Sequence, residues 1–304
     1  IVKAPRTSLY GSHAIGGVIN IFTKKDNGNN LETTLTTGSD NMKNINLMAS
    51  RNKENMTSGL QWSHYQTDGF PTKVNSTIDN GYDNNSLHGY FQIKDTHKII
   101  KTSIWSSSGT TEYMDFFLSP ISQDFGNLVS AINIINPIND LWSSSLNLNL
   151  SKDKIDQNYS ADFNHSKKLS LEWQNTFEWN PSNELIIGYI HEKEDFNASN
   201  YGLIVDTEIS SDAVYLENLT LLDKHQLLMA VRLNNKEKIQ DQTTWNLEYG
   251  YKVNTSIKFI ANLGKAIRDP SNFDLYGFGG NQTLIPEVSN NKSIGIQYSP
   301  EGFS

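Results

Sequence analysis

The chain has 304 residues, 33 acidic against 25 basic side chains for a formal charge of −8, 37% hydrophobic and 11% aromatic residues, and no cysteine. That apolar and aromatic content describes a chain able to bury a core rather than a disordered one. The missing cysteines exclude a disulfide framework, Cys-ligated zinc and thiol catalysis, and the acidic balance without any Lys/Arg cluster excludes nucleic acid as a partner.

At the start, Ile1-Val2-Lys3-Ala4-Pro5 lacks an initiator Met and the charged and apolar regions of a signal peptide, so a chain that begins inside a larger protein is expected. Next, Pro5-Arg6-Thr7-Ser8-Leu9-Tyr10-Gly11 leads through Ser12-His13-Ala14-Ile15 to Gly16-Gly17-Val18-Ile19-Asn20-Ile21. Gly11 and the Gly16-Gly17 pair suit a sharp turn with close backbone approach. Val18, Ile19 and Ile21 read as a buried strand.

From about residue 31 onward apolar residues recur at every second position. Examples are Ile45, Leu47 and Ala49; Leu169, Leu171 and Trp173; Leu227, Met229, Val231 and Leu233; Trp245, Leu247, Tyr249 and Tyr251; and Ile257, Phe259, Ala261 and Leu263. The intervening positions are largely polar, among them Asn147, Gln174, Arg232, Asn246 and Glu248. A one-residue slip would exchange the two faces, so the alternation implies one apolar and one wet surface. About fourteen such segments follow one another, many near the ~10 residues of a membrane barrel strand. The longest purely apolar run, Leu185 to Ile190, falls far short of the ~18 residues a spanning helix needs.

Short and long connections take turns along the chain. Short turns are expected at 52–55, 95–97, 151–154, 180–183, 223–225 and 253–255. Longer links rich in Asn, Ser, Asp and Gly are expected at 38–42, 66–84, 108–140, 163–167, 193–210, 237–242 and 265–291. Tight turns at one end of a sheet and long loops at the other are the pattern of an outer-membrane barrel. A β-sandwich, lectin or propeller also alternates, but a propeller should repeat a motif every ~40 residues, and no such repeat is present.

Late in the chain, Leu263-Gly264-Lys265-Ala266-Ile267-Arg268-Asp269-Pro270 is followed by Asp274-Leu275-Tyr276-Gly277, then Gly280-Asn281, Leu284 and Pro286-Glu287. The last residues, Tyr298 to Ser304, do not form an amphipathic closing strand ending in an aromatic residue, so further strands are expected beyond them.

The segment from Pro5 to Ile21 closely resembles the end of the plug domain in TonB-dependent outer-membrane receptors. The matching positions are Pro5, Leu9, Tyr10, Gly11, Gly16, Gly17 and Asn20, with Lys3 and Ala4 standing where Arg and Gly are common. The second string resembles that family's mid-barrel signature at Arg268, Pro270, Leu275, Tyr276, Asn281, Pro286 and Glu287, while Ile267, Asp269 and Ile285 depart from it. Thr67-Asp68-Gly69-Phe70 and Asp79-Asn80-Gly81-Tyr82-Asp83-Asn84 are similar to early barrel loops of the cobalamin and siderophore receptor branches.

The resemblance implies an all-β fold: residues 1–25 as the C-terminal end of a plug, and 26–304 as part of a transmembrane antiparallel β-barrel, about 14 of about 22 strands. It implies an outer-membrane protein of a Gram-negative bacterium that takes up a scarce bulky nutrient, cobalamin or an iron siderophore. Its partners would be TonB, met through a segment N-terminal to this sequence, a small-molecule ligand and outer-membrane lipid. The alternative from another class is a surface-exposed β-rich adhesin or lectin-like binding protein.

No motif supplies enzymatic chemistry. His191-Glu192-Lys193-Glu194-Asp195 lacks the second His of a zinc-protease helix, and Gly277-Phe278-Gly279-Gly280 lacks the Lys and Ser/Thr of a phosphate loop. No catalytic residue or cofactor is expected. Asp68, Asp79 and Asp83 are the candidate calcium ligands, because calcium prefers several carboxylate oxygens, against the plainer reading of solvated aspartates in Asn-rich turns. Trp105, Tyr113, Phe116 and Phe117, in or beside the expected longest loop, are the candidate substrate contacts, or equally part of an interfacial aromatic girdle.

Overall fold

In a computed structural model, which describes residues 11, 15–17, 19, 28–74 and 76–299, the chain forms one antiparallel sheet of fourteen strands in which every strand pairs with its neighbours in sequence. In chain order these are β1 (Asn30–Thr37), β2 (Lys43–Lys53), β3 (Met56–Phe70), β4 (Asn80–Lys94), β5 (Ile99–Met114), β6 (Pro120–Asn139) and β7 (Trp142–Gln157). Then follow β8 (Phe163–Asn180), β9 (Asn183–Asn200), β10 (Leu203–Leu222), β11 (His225–Lys236), β12 (Ile239–Lys252), β13 (Ile257–Arg268), a short helix α1 (Asn272–Tyr276) and β14 (Glu287–Tyr298). Most of 1–25, including Pro5, Leu9, Tyr10 and Asn20, lies outside the described residues.

Register carries the alternation across the sheet. Leu171 faces Leu148, Trp173 faces Tyr189, and Leu216 pairs with Ile187 on one side and Val231 on the other. Val231 meets Trp245, Met229 meets Leu247, and Leu247 meets Leu263. These side chains form a continuous apolar belt on one face. They stay exposed, Trp245 at 42% and Leu247 at 36%, whereas Thr244 and Asn246, which alternate with them, are 0% and 3% exposed. Large apolar side chains of the belt face outward, and the buried layer mixes polar groups such as Arg232, Thr244, Asn246 and Asn262 with Ile209, Ala213 and Ala230. In water such a belt would be an aggregation surface, and in a bilayer it is the lipid-facing band of a barrel wall. Among the described residues no helix is long and apolar enough to cross a membrane.

Inner-end turns are tight, at 54–55, 140–141, 181–182 and 223–224, with 95–98 and 253–256 slightly longer. At the outer end, 71–79 and 269–286 are the long connections. Four expectations are corrected. The region 108–140 is not a loop, because β5 and β6 run through it and only 115–119 connect them. Similarly, 193–210 is a hairpin that turns at Tyr201-Gly202, both with positive φ (51° and 81°), and 163–167 lies inside β8. The turn expected at 151–154 lies inside β7, where Lys152 and Asp153 pair with Leu128 and Asn127; the true inner turn is Asp140-Leu141.

The physical reason is common to all four. Strands of up to 20 residues, as in β6 and β10, are about twice what the apolar slab needs. Their outer halves stand in water and are rich in Ser, Thr, Asn and charged residues, held by backbone ladders that require no apolar side chain. Gly69 shows the tight fit where β3 ends: its φ is +73° and a Cβ there would lie 1.9 Å from the Asn80 carbonyl oxygen.

Candidate functional site

The inner face of β8 to β11 carries the best-built polar cluster among the described residues. Alternation sends Lys168, Glu172 and Gln174 of β8, Glu192 and Glu194 of β9, Tyr215 of β10, and Arg232, Asn234 and Lys236 of β11 to the same side. Most of these groups, with Asp269 just past β13, line a cavity of about 280 Å³ whose other wall includes Gly11.

Tyr215, 2% exposed, is the buried centre of the polar cluster beside that cavity. The ring lies over Gly188, its cross-strand partner, so closely that a Cβ on Gly188 would come within 2.2 Å of the Tyr215 Cζ. Its hydroxyl reaches Glu172 Oε1 at 2.7 Å and Gln174 Oε1 at 3.0 Å, so one proton serves one acceptor at a time. Arg232, 6% exposed, stands with its guanidinium carbon 5.9 Å from the Tyr215 ring centroid, and its Nε donates to Asn234 Oδ1 at 2.6 Å. Beside it Lys168 and Glu192 form an ion pair at 2.7 Å. The arrangement holds donors and acceptors rigidly on an inner wall and includes no activated nucleophile; it can bind and position, not transform.

The other candidates are spread out. Trp105 sits on the inner face in the middle of β5, opposite Val129, 40% exposed. Tyr113 is eight positions further along the same face, roughly 26 Å away at strand rise, and donates to Gln157 Oε1 at 2.7 Å. Phe116 and Phe117 occupy the 115–119 turn, 90% and 83% exposed, edge to face with each other at 5.5 Å. These four residues do not converge. Asp68, Asp79 and Asp83 do line one outer cleft with Glu112, but no group of three or more His, Asp or Glu among the described residues is placed to hold a metal ion. Asp68 accepts from Asn41 Nδ2 at 2.5 Å, and Asp83 lies 3.8 Å from His64.

The 268–287 string proves to be a corner. Arg268 ends β13 and pairs with Glu287 at the start of β14 at 3.0 Å. Pro270 and Leu275 are buried, and Tyr276 receives Lys238 over its ring at 5.7 Å. Ser271 caps α1: its Oγ accepts from the Asp274 amide at 3.1 Å and its own amide donates to Asp274 Oδ2 at 2.9 Å. Those Ser271 hydrogen bonds hold the Asp274 carboxyl below the usual carboxylate range. Asn281 closes the following turn through its side chain to Thr283. Tyr215, Glu172 and Asn234 carried no motif; their signal was their polar or inward position in an alternating strand, already visible for Arg232 and Gln174.

The family model described as "TonB dependent receptor-like, beta-barrel" matches residues 7–304. The chain belongs to the TonB-dependent receptor family. Curated relatives include the vitamin B12 transporter BtuB of Photobacterium profundum, 26% identical over 97% of this chain and 50% of that protein, and BtuB of Vibrio vulnificus, 25% identical over 98% and 51%. The chain thus spans about half the length of the curated relatives it matches. Among solved structures, the siderophore receptor PirA from Acinetobacter baumannii superposes with a TM-score of 0.80 at 17% identity, over 98% of this chain and 55% of that one. The copper transporter OprC gives a TM-score of 0.77 at 15% identity over 98% and 56%. The TonB-dependent receptor family is one of outer-membrane receptors and transporters of Gram-negative bacteria, not enzymes, and the adhesin alternative is not favoured.

Proposed function

We propose that this chain is the plug end (1–25) and much of the barrel (26–304) of a TonB-dependent transporter that takes up a bulky nutrient of the cobalamin or iron-siderophore class. The observation that carries this reading is the wall itself: an exposed apolar belt on one face and buried polar groups such as Arg232, Thr244 and Asn246 on the other, in a chain matched almost throughout by the family model. Cobalamin is favoured over the siderophores, because the curated relatives with near-complete coverage of this chain are named vitamin B12 transporters. The inner face and outer strand extensions, Trp105 and Tyr113 included, are the surfaces offered to such a ligand, with Phe116 and Phe117 at the outermost turn. TonB is the energising partner in this reading, and outer-membrane lipid the solvent of the belt.

The test is equilibrium binding of cobalamin and of ferric chelates to the full-length receptor in detergent, with and without calcium. Saturable cobalamin binding supports the reading, and binding of a ferric chelate alone moves the assignment to the siderophore branch. Calcium enters through the cleft of Asp68, Asp79 and Asp83. Asp68→Ala and Asp83→Ala should weaken calcium-dependent binding, and unchanged binding would remove calcium from the proposal.

A further inference from the structure

On β7 and β8 the outward face changes character at one height. Going up from the inner turns, the belt on β7 runs through Leu146, Leu148 and Leu150, and on β8 it reaches Leu169, the cross-strand partner of Leu150. The next outward positions are Lys152 and Lys167, which face each other in register. Two like charges directly opposite weaken a sheet. Nothing relieves the repulsion from the other side of Lys152: its partner on β6 is Leu128, and it makes no ion pair among the described residues. Lys167 reaches Asp195 only at 3.5 Å, with both side chains about half exposed. Higher on β7, Asp156 is already shared by Lys154 and His165, each at 2.7 Å. Gly126, the β6 partner of Lys154, puts no side chain into the space beside them. In a chain with 33 acidic and 25 basic residues, this facing pair is a local reversal of charge that the wall itself does not need.

The top of the belt is the height of the polar layer at a bilayer surface. Lysine stems lie along apolar surface and carry their ammonium groups into that layer. Beneath them the exposed Leu148, Leu169 and Leu171 form a track on which acyl chains can lie. One anion held between two facing ammonium groups turns their repulsion into attraction, and a phosphate has enough oxygens to accept from both. We propose that Lys152 and Lys167 bind the phosphate group of an outer-leaflet lipid whose acyl chains run down the leucines of β7 and β8. Free phosphate would use the lysines alone and leave the leucine track beneath them without a part. The site rests on the reading of the apolar belt as the surface that meets lipid.

Lipid binding and urea unfolding of the full-length receptor in mild detergent test it, with three probes: lipid A carrying both phosphates, the same lipid with its phosphates removed, and inorganic phosphate. The phosphorylated lipid should bind saturably and raise the unfolding midpoint. The dephosphorylated lipid should bind about tenfold more weakly, since hydrogen bonds between charged groups are lost. Lys152→Glu should move the two readings in opposite directions. The bare wall becomes more stable, because the facing charges now attract, while the phosphorylated lipid loses both its affinity and its effect on the midpoint. Lys152→Gln, which removes the repulsion without adding a charge, should leave the bare wall at least as stable as the wild type and weaken the phosphorylated lipid about as much as removing its phosphates does. Equal binding of the two lipids by the wild type, or wild-type binding of the phosphorylated lipid by Lys152→Glu, would overturn the site. Inorganic phosphate that bound as tightly as the lipid would overturn the part given to the leucines. A wild type that bound none of the lipids, together with a Leu247→Arg variant as stable as the wild type in vesicles, would instead overturn the lipid-facing reading of the belt beneath it.

Discussion

The two faces of the wall formed by β10 to β13 obey opposite rules. Outward, Val214, Leu216, Val231, Leu233, Trp245 and Leu247 are apolar and exposed; inward, Tyr215, Arg232, Thr244, Asn246 and Asn262 are polar or polar-tipped and buried. In a water-soluble sheet the energetic weight lies in the apolar face buried against a partner. Here the apolar face is stabilised by lipid alone, without specific partners, and uniqueness comes from the polar side. The inner face is specified by pairwise fits: the Asn262 amide donating to Asn246 at 2.8 Å, the Tyr215 hydroxyl shared by Glu172 and Gln174, and Tyr rings laid over Gly59 and Gly188. One face should therefore tolerate any apolar residue and no charge, and the other should tolerate polarity but not a change of shape.

The sharpest way to break this contrast is a charge in the belt. Leu247 lies between Met229 and Leu263 near the middle of the apolar band. Leu247→Arg in the full-length receptor should cost about 2–4 kcal/mol in lipid vesicles, read by urea unfolding, whereas Leu247→Ile should be close to neutral. A charge accepted there without loss would mean that this face does not meet lipid.

The inner face should answer to shape. Gly188→Ala places a methyl into the Tyr215 ring at 2.2 Å from Cζ, so the ring must leave its seat, at a cost of about 1–3 kcal/mol. Tyr215→Phe keeps the shape and removes the proton shared by two acceptors, for about 1 kcal/mol by the same unfolding measurement. If Gly188→Ala were silent while Tyr215→Phe was costly, the wall would be specified by hydrogen bonding and not by packing.

How much of this was legible follows the same division. The belt was plain in the sequence, because Trp245-Leu247-Tyr249 and Leu227-Met229-Val231 alternate without interruption, and alternation fixes both strand and face. The outer halves of the strands were not, because Ser106-Ser107-Ser108-Gly109 and Asn197-Ala198-Ser199-Asn200 have loop composition although β5 and β9 carry them in full backbone pairing. Their stability comes from ladder bonds that side chains do not announce. The displaced turn at 151–154 has the same cause: Lys-Asp-Lys reads as a loop tip, yet it lies on a wet strand. The cluster at Tyr215 was half visible, since the inward polar positions could be named but not which of them converge. That depends on register across four strands, which no local pattern encodes. The 268–287 string was visible as a motif, and its role as a capped corner needed coordinates.

The smallest effect lies at that corner, where neither face rule applies because the residues stand in water beyond the belt. Ser271→Ala removes the acceptor for the Asp274 amide and should loosen α1 by about 1 kcal/mol, seen as faster exchange at 272–281 with no change in the unfolding of the barrel. The pH dependence has a definite sign. The Asp274 carboxyl is held below its ordinary value by the Ser271 hydrogen bonds and, to a lesser degree, by Arg268, so the charged form is the one the folded corner prefers. Its contribution is fully present above the ordinary aspartate value and is lost as pH falls through the lower folded value. Protection at 272–281 should stay constant from neutral pH down to about 5 and weaken only in more acid solution. In Asp274→Asn that acid step should vanish, because the group that titrates is gone while its shape remains. An acid step that persisted in Asp274→Asn would assign it to the neighbouring Arg268–Glu287 pair at 3.0 Å and leave the cap without a role in holding the corner.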